Sequence, residues 1–530
     1  MKSFNTGRSA ISTAVRLCLA GAAVSAAGAA LAATPAPSAT PAAGNIRIIV
    51  AYKNDNALQA RMAIGPARDN VKMELDELGA VVLEVSPKAL AELRKDPNVA
   101  YVEEDVKRYA LSHGTRAPKA YLPGQTIPYG ISMVQANLLP DTNAGNRTLC
   151  IIDSGYDRAH EDLAGNKVSG SFDRGTGNWY TDENSHGTHV AGTIAAINNA
   201  GVGVVGVAAN RKLKLHIVKV FGADGWAYSS TLAHAAKQCG KAGANVISMS
   251  LGGAKPSKTE QRAFERLAAK GVLSVAAAGN DGTSALLYPA AYASVMMVGA
   301  LDQNKAWAPF SQFNPKVELS APGVGVLSTV PMGQGTESAL KVDATAYAPG
   351  SMDGSPKATV SAPLAAFGTG ETVDASVSGK VCLIARGNIA FGAKVANCQA
   401  SGGVGAIIYN NAPGSFNGTL GTTVTTIPSV TASDTEGAAM QAQLGKVATL
   451  AVKATNYSYF NGTSMATPHV SAVAALVWSH YPRCTGKQMR ASLAKSALDL
   501  GAPGRDDKYG YGLVQAKAAF DRIGKVGCGN

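Results

Sequence analysis

Four polar residues of this chain stand where the surrounding sequence would hold them for chemistry at a carbonyl carbon. Ser464, in NGTSMATPHV, opens a long apolar stretch of helical period, and His186, in NSHGTHVAGT, opens another. Asp153 closes the apolar run TLCIID, which places it at the C-terminal end of a buried strand, where the active groups of open α/β sheets collect. A serine hydroxyl is a poor nucleophile until a base removes its proton. An imidazole serves as that base when a buried carboxylate holds it in one tautomer. Asn280, after the glycine of AAAGN, offers an amide donor to a developing oxyanion. Taken singly, Asp153 suits a cap and Asn280 a turn; their weight comes from occurring together.

Two other chemistries fit less well. His189 follows His186 by three residues and could be taken for a metal partner on one helix face, but there is no HExxH and no third ligand at a useful spacing. His189 and His469 are therefore expected to pack. GTSMA carries Ala466 where the nucleophile elbow of lipases and esterases has its second glycine.

The elements that must position these residues are short, almost wholly apolar strands: TLCIID, LKLHIVKV, NVISMSL, GVLSVAAAG and SVMMVGA. They alternate with segments of helical period, which predicts an α/β fold with a parallel sheet covered by helices on both faces. Residues 351–452 break that rhythm with Gly, Thr, Ser and Val and read as a β-rich inserted domain, leaving 111–350 and 453–530 as the catalytic domain. Upstream, residues 46–110 read as a small α+β unit. IRIIVAY is a strand, VKMELDELGAVVLEV a helix then a strand, and SPKALAELRKDPNVAYVEEDV a helix with Ser86 as N-cap followed by a strand. Residues 33–45, dominated by Ala, Pro, Ser and Thr, form a linker.

Residues 1–32 have the form of a signal peptide: Lys2, Arg8 and Arg16 precede an apolar stretch that ends in Ala30-Leu31-Ala32. The stretch is short and rich in Ala and Gly, which disfavours a retained anchor. Export to the periplasm or the medium is expected, with no membrane attachment afterwards. The 530 residues exceed one compact core, and 46% hydrophobic against 16% charged residues is a globular composition. The net charge of +12 is scattered without a Lys/Arg run, which gives no support for nucleic-acid binding. With Cys18 in the signal peptide, Cys150, Cys239, Cys382, Cys398, Cys484 and Cys528 remain for disulfides. Fifteen pairings are possible. Proximity in sequence favours Cys382 with Cys398 and Cys484 with Cys528, which leaves Cys150 with Cys239.

IIDSG, HGTHVAGT, SMSLGG, AAAGN, SAPG and GTSMATPHV, in that order from Gln125 to about Gly512, resemble the motifs of subtilisin-like serine proteases. The resemblance implies a serine endopeptidase acting on proteins through an acyl-enzyme, most simply as a monomer, with Ser464 as nucleophile, His186 as general acid and base, Asp153 as its orienting carboxylate and Asn280 in the oxyanion hole. Ser250, Leu251, Gly252 and Gly253 match the segment that pairs with extended substrate. Ala276, Ala277, Ala278 and Gly279 match a wall of the pocket for the residue before the scissile bond, and its small apolar side chains suggest room for an apolar or aromatic group. Residues 46–110 resemble the inhibitory prosegment, whose tail at Val106–Ala110 would lie in the cleft until the enzyme cuts it. GKVCLIARGNIAFGAKVANCQASGGVGAIIYNN resembles the protease-associated domain, with Ile389 where many such modules have a cysteine. The family also implies a structural calcium ion (Ca2+), here held by the side chains of Gln125, Asp162 and Asn199 and the carbonyls of Ile197, Val202 and Val204.

Overall fold

The computed structural model describes residues 45–53, 71–75, 78–110, 125–172, 175–199, 201 and 203–529; of residues 108–110 it describes the backbone. The expected signal peptide, nearly all of the linker and the expected calcium ligand Val202 lie outside the described residues.

Seven parallel strands form the central sheet in the order β14-β13-β12-β10-β6-β8-β7. They are β6 (Thr148–Asp153), β7 (Lys167–Phe172), β8 (Lys214–Lys219), β10 (Val246–Met249), β12 (Leu273–Ala277), β13 (Val295–Leu301) and β14 (Val317–Pro322). Their apolar runs are explained by cover on both faces. Leu149 and Ile151 pack towards the His186–Ala195 and Thr463–His480 helices, while the alternate residues Cys150 and Ile152 pack towards the Ser229–Lys241 and Lys258–Ala269 helices. The Thr463–His480 helix is buried from Thr463 to Ser479, so it is apolar all round rather than amphipathic.

Residues 46–104 form an antiparallel sheet, β2-β3-β1-β4, from β1 (Ile46–Tyr52), β2 (Val71–Leu75), β3 (Ala80–Val85) and β4 (Val99–Glu104). The Pro87–Leu93 helix starts as expected, with Ser86 Oγ accepting from Ala89 N–H and Pro at the first turn. VKMEL, expected as helix, is the strand β2. Its residues alternate apolar and polar with period two, and pairing with β3 overrides the helix propensity of Met, Glu and Leu.

The chain continues through β5 (Lys107–Ala110), which lies between β11 (Leu251–Gly252) and β9 (Trp226–Tyr228) and pairs antiparallel with both. After β15 (Val326–Thr329) a second seven-stranded sheet begins, in the order β17-β16-β24-β19-β20-β21-β23. It comprises β16 (Gly335–Val342), β17 (Thr345–Tyr347), β19 (Thr359–Ala366), β20 (Val381–Ala385), β21 (Gly405–Tyr409), β23 (Ser429–Ala432) and β24 (Val447–Thr455). A short pair, β18 (Met352–Asp353) with β22 (Gly418–Thr419), flanks it. Because β16 pairs with β24 along its whole length, the inserted unit runs from Gly335 to Thr455, wider than 351–452. Strand β16 buries only Gly335, Leu340 and Val342, so its hydrophobic pattern hardly sets it apart from a loop. The insert also holds two helices, Phe391–Ala400 and Asp434–Gln441. Strand β25 (Tyr457–Phe460) then returns to pair with β15. Disulfides join Cys150 to Cys239, Cys382 to Cys398 and Cys484 to Cys528.

Candidate active site

Asp153 ends β6 and accepts at Oδ1 from the Ser154 N–H at 2.8 Å. The same oxygen lies 2.7 Å from His186 Nδ1, and both side chains are buried. That contact assigns the proton to Nδ1 in the neutral ring and directs Nε2 away from the carboxylate. Ser464 is the second residue of its helix, and its Oγ donates to the Ser250 carbonyl at 3.1 Å, while Ser250 Oγ donates back to the Ser464 carbonyl at 2.7 Å. Asn280 Oδ1 accepts from both the N–H and the hydroxyl of Thr463 at 2.9 Å, which fixes the orientation of the amide and turns its NH2 group away from Thr463. Gly279 beside it has φ +117°, and a Cβ there would run into Gln312 Oε1, so only glycine fits.

The cleft residues divide. Leu251 and Gly252 pair with Ala110 and Tyr109, and Gly253 bridges to Tyr288 instead. Ala276 and Ala277 end β12, Ala278 follows, all three are buried, and Gly279 N–H donates to Thr463 Oγ1. Strand β9, which forms the opposite wall, is not evident from sequence. Nor is a polar lattice behind the site. Asp182 accepts from Ser154 Oγ, from the N–H groups of Asn184, Ser185 and Thr188, and from Thr188 Oγ1. Lys219, fully buried on β8 opposite Asp153, donates to the carbonyls of Ser154 and Thr181 and to Glu183. A lysine inside the apolar run LKLHIVKV is the one sequence signal for this network.

His189 packs rather than ligates. Its Nε2 faces the carbonyls of Val326 and Ser458 at 3.0 and 3.1 Å, and its ring stacks on Phe460. Burial, reinforced by the nearby His186, pulls its pKa down to about 3. His469, held at Nδ1 by the Met465 carbonyl, is brought to about 4 by burial.

Gln125, Asp162, Ile197, Asn199 and Val204 converge. Asp162 is buried, with Asn199 Nδ2 at 2.9 Å from Oδ1 and the Val204 N–H at 2.7 Å from Oδ2. Gln125 Nε2 lies 3.1 Å from the Ile197 carbonyl. Among the described residues no three His, Cys, Asp or Glu side chains gather, but calcium needs only oxygens, and one carboxylate with amide and carbonyl oxygens is a suitable set. Turning the two amides end for end, which preserves their shape, brings oxygens to face Asp162 and Ile197, so the donors fit the ion. The sequence reading missed two neighbours. Arg211 donates to Asn199 Oδ1, and Tyr457, entering from β25, donates to Glu161.

The doubly covered parallel sheet, with Asp153 and His186 in contact and Ser464 at the start of the buried helix, is the architecture of a subtilisin-like fold. The Subtilase family profile matches residues 145–370 and 378–512. The chain belongs to the subtilase family and is a serine-type endopeptidase. It is 38% identical over 278 residues to an alkaline protease of Alkalihalobacillus alcalophilus, covering 51% of this chain and 68% of that protein. It is 37% identical over 271 residues to subtilisin E of Bacillus subtilis (strain 168), covering 50% and 66%. A crystal structure of the psychrophilic subtilisin-like protease Apa1 from the Antarctic psychrotroph Pseudoalteromonas sp. AS-11 superposes with a TM-score of 0.59 at 42% identity, over 77% of this chain and all of that one. Fervidolysin from Fervidobacterium pennivorans, at 24% identity, shares the fold with a TM-score of 0.58 over 90% of this chain and 61% of its own.

Proposed function

We propose that the chain is the exported, self-processing precursor of a protease in which Ser464 attacks the substrate carbonyl. His186 takes the Ser464 proton and returns it to the leaving amine, Asp153 stabilises the imidazolium, and Asn280 with the Ser464 backbone N–H binds the oxyanion. The observation that carries this reading is the buried 2.7 Å contact between His186 Nδ1 and Asp153, at the mouth of a cleft that already accepts a peptide strand. That strand is the end of residues 46–110, which act as an intramolecular inhibitor of the prosegment type. Residues 335–455 are a protease-associated domain. Calcium, held by Gln125, Asp162, Asn199 and the carbonyls of Ile197, Val202 and Val204, would cross-link the N-terminal segment to the loop after the His186 helix. Among the described residues no helix is long and apolar enough to cross a membrane.

Ser464→Ala decides the matter. The variant, made in a protease-free host, should neither hydrolyse casein nor shorten from precursor to mature size. Accumulation at mature size would rule out self-processing, and retained hydrolysis would remove Ser464 as nucleophile.

A further inference from the structure

The inserted sheet reaches the catalytic helix. A cleft of about 420 Å³ lies between the residues directly before His186 and the insert. One side is Asn184 and Ser185, the other is Ser351, Asp353 and Asn417 of the insert, and Phe460 with Met352 supplies apolar lining. Ser185 Oγ donates to Gln334 Oε1 at 2.8 Å, directly before the insert, and within the insert wall Asn417 Oδ1 accepts from the Ser351 N–H and hydroxyl.

The peptide path gives this cleft its meaning. Strand β5 pairs Tyr109 with Gly252 and Ala110 with Leu251, so the next register position falls at Ser250, whose carbonyl accepts from the Ser464 hydroxyl. A substrate laid in that register has its scissile bond at Ser464, and its following residues must pass beyond the His186 and Ser464 pair. Among the described residues, no side chain of β9 or β11 lines the cleft, whereas Ser185 is the neighbour of His186 and Phe460 stacks on His189 one helical turn along. Among the described residues Asp353 supplies the only charge of the lining, and its side chain is exposed.

We infer that this cleft, walled by the insert, is a subsite for the substrate segment after the scissile bond and favours a basic side chain in that segment. The inference rests on the assignment of Ser464 and His186 above. Backbone groups of the passing peptide meet the amides of Asn184 and Asn417, and the cationic side chain meets the Asp353 carboxylate. The insert is thereby part of substrate recognition.

The test compares two substrate types on the processed enzyme. A peptide p-nitroanilide has no residue after its scissile bond, and internally quenched peptides of one sequence carry Lys or Glu two or three residues beyond it. The Lys peptide should be cut about fivefold faster in kcat/KM than the Glu peptide, the size of an exposed ion pair. Asp353→Asn should abolish that ratio and Asp353→Lys invert it, with p-nitroanilide hydrolysis unchanged in both. A ratio near one in the parent enzyme, or a ratio that survives Asp353→Lys, overturns the subsite. A parent enzyme that cuts no p-nitroanilide overturns the active-site assignment, and the subsite with it.

Discussion

His186 and His189 lie one helical turn apart and meet opposite requirements. The first, in the role proposed for it, gains a proton during turnover, and its Nδ1 lies 2.7 Å from Asp153 Oδ1. The second is wholly enclosed beside Phe460 and stays neutral, since burial holds its pKa near 3. His469 is held near 4 in the same way. Both folded values lie below the ordinary 6.5, so between pH 6.5 and about 4 the unfolded chain binds protons that the folded chain excludes. Their contribution to stability is complete above 6.5 and is lost as pH falls, with a slope of up to about 1.4 kcal/mol per pH unit for each ring. In a Ser464→Ala background, which prevents autolysis, Tm should fall over this range. His189→Gln should lower stability at pH 7 yet give a shallower fall, and parallel curves would refute the linkage. Asn280 makes a different kind of contribution. Its amide orientation is fixed by Thr463 in the resting protein, so the donor costs no reorganisation during reaction. Asn280→Ala should reduce kcat by about two to three powers of ten with KM little changed, a magnitude taken from oxyanion donors in subtilisins rather than from this site's distances. A loss confined to KM would make Asn280 a binding residue.

Among elements, the N-terminal unit grips the catalytic domain through helix ends. Asp105 is buried and accepts from the Ser229 hydroxyl, from the N–H and hydroxyl of Ser230, and from Arg47 at 2.7 Å. Glu103 accepts from Ser257 Oγ and from the N–H groups of Lys258 and Thr259. Each carboxylate thus satisfies donors at the start of a helix, where the helix dipole also favours a negative charge. Added in trans to mature enzyme, the segment 46–110 should inhibit, and Asp105→Asn should raise its inhibition constant about ten- to a hundredfold, the worth of one hydrogen bond to a charged group. An unchanged constant would place the grip in β5 alone. Little of this contact was legible in sequence. Motifs such as HGTHVAGT announce themselves because helix start, glycines and histidine are contiguous, and Ser86 was readable as a cap because its partner is three residues away. Asp105 and Ser230 are 125 residues apart, and no local pattern joins them. VKMEL was misread because five residues of helix-forming composition conceal a period of two. Strand β16 was missed because its apolar side chains are few, with Leu340 and Val342 buried near its end, and carry little of the hydrophobic signal that marks a strand.

At the scale of the molecule, the insert departs after β15 and returns through β25, and those two strands pair with each other, so the insertion is anchored at its own base. Tyr457, at the start of β25, donates to Glu161, so the strand that follows the insert reaches the segment that carries Asp162. That site gathers Gln125, Asp162 and Asn199, each mundane on its own, from three stretches of chain. With donors assembled only in the folded protein, an ion bound there stabilises in proportion to the logarithm of its concentration above Kd. The Tm of the Ser464→Ala protein should therefore rise with calcium and fall in chelator. Asp162→Ala, which removes the one carboxylate of the set, should abolish most of that dependence; in the active enzyme it should leave kcat at low temperature unchanged, since no ligand of the set touches the triad. Arg211 enters the same argument with opposite sign. Its guanidinium donates to Asn199 Oδ1, the oxygen that calcium would take, so Arg211→Ala should strengthen the calcium dependence. Melting curves that coincide in excess calcium and in chelator, for the parent and for Arg211→Ala alike, would rule the site out.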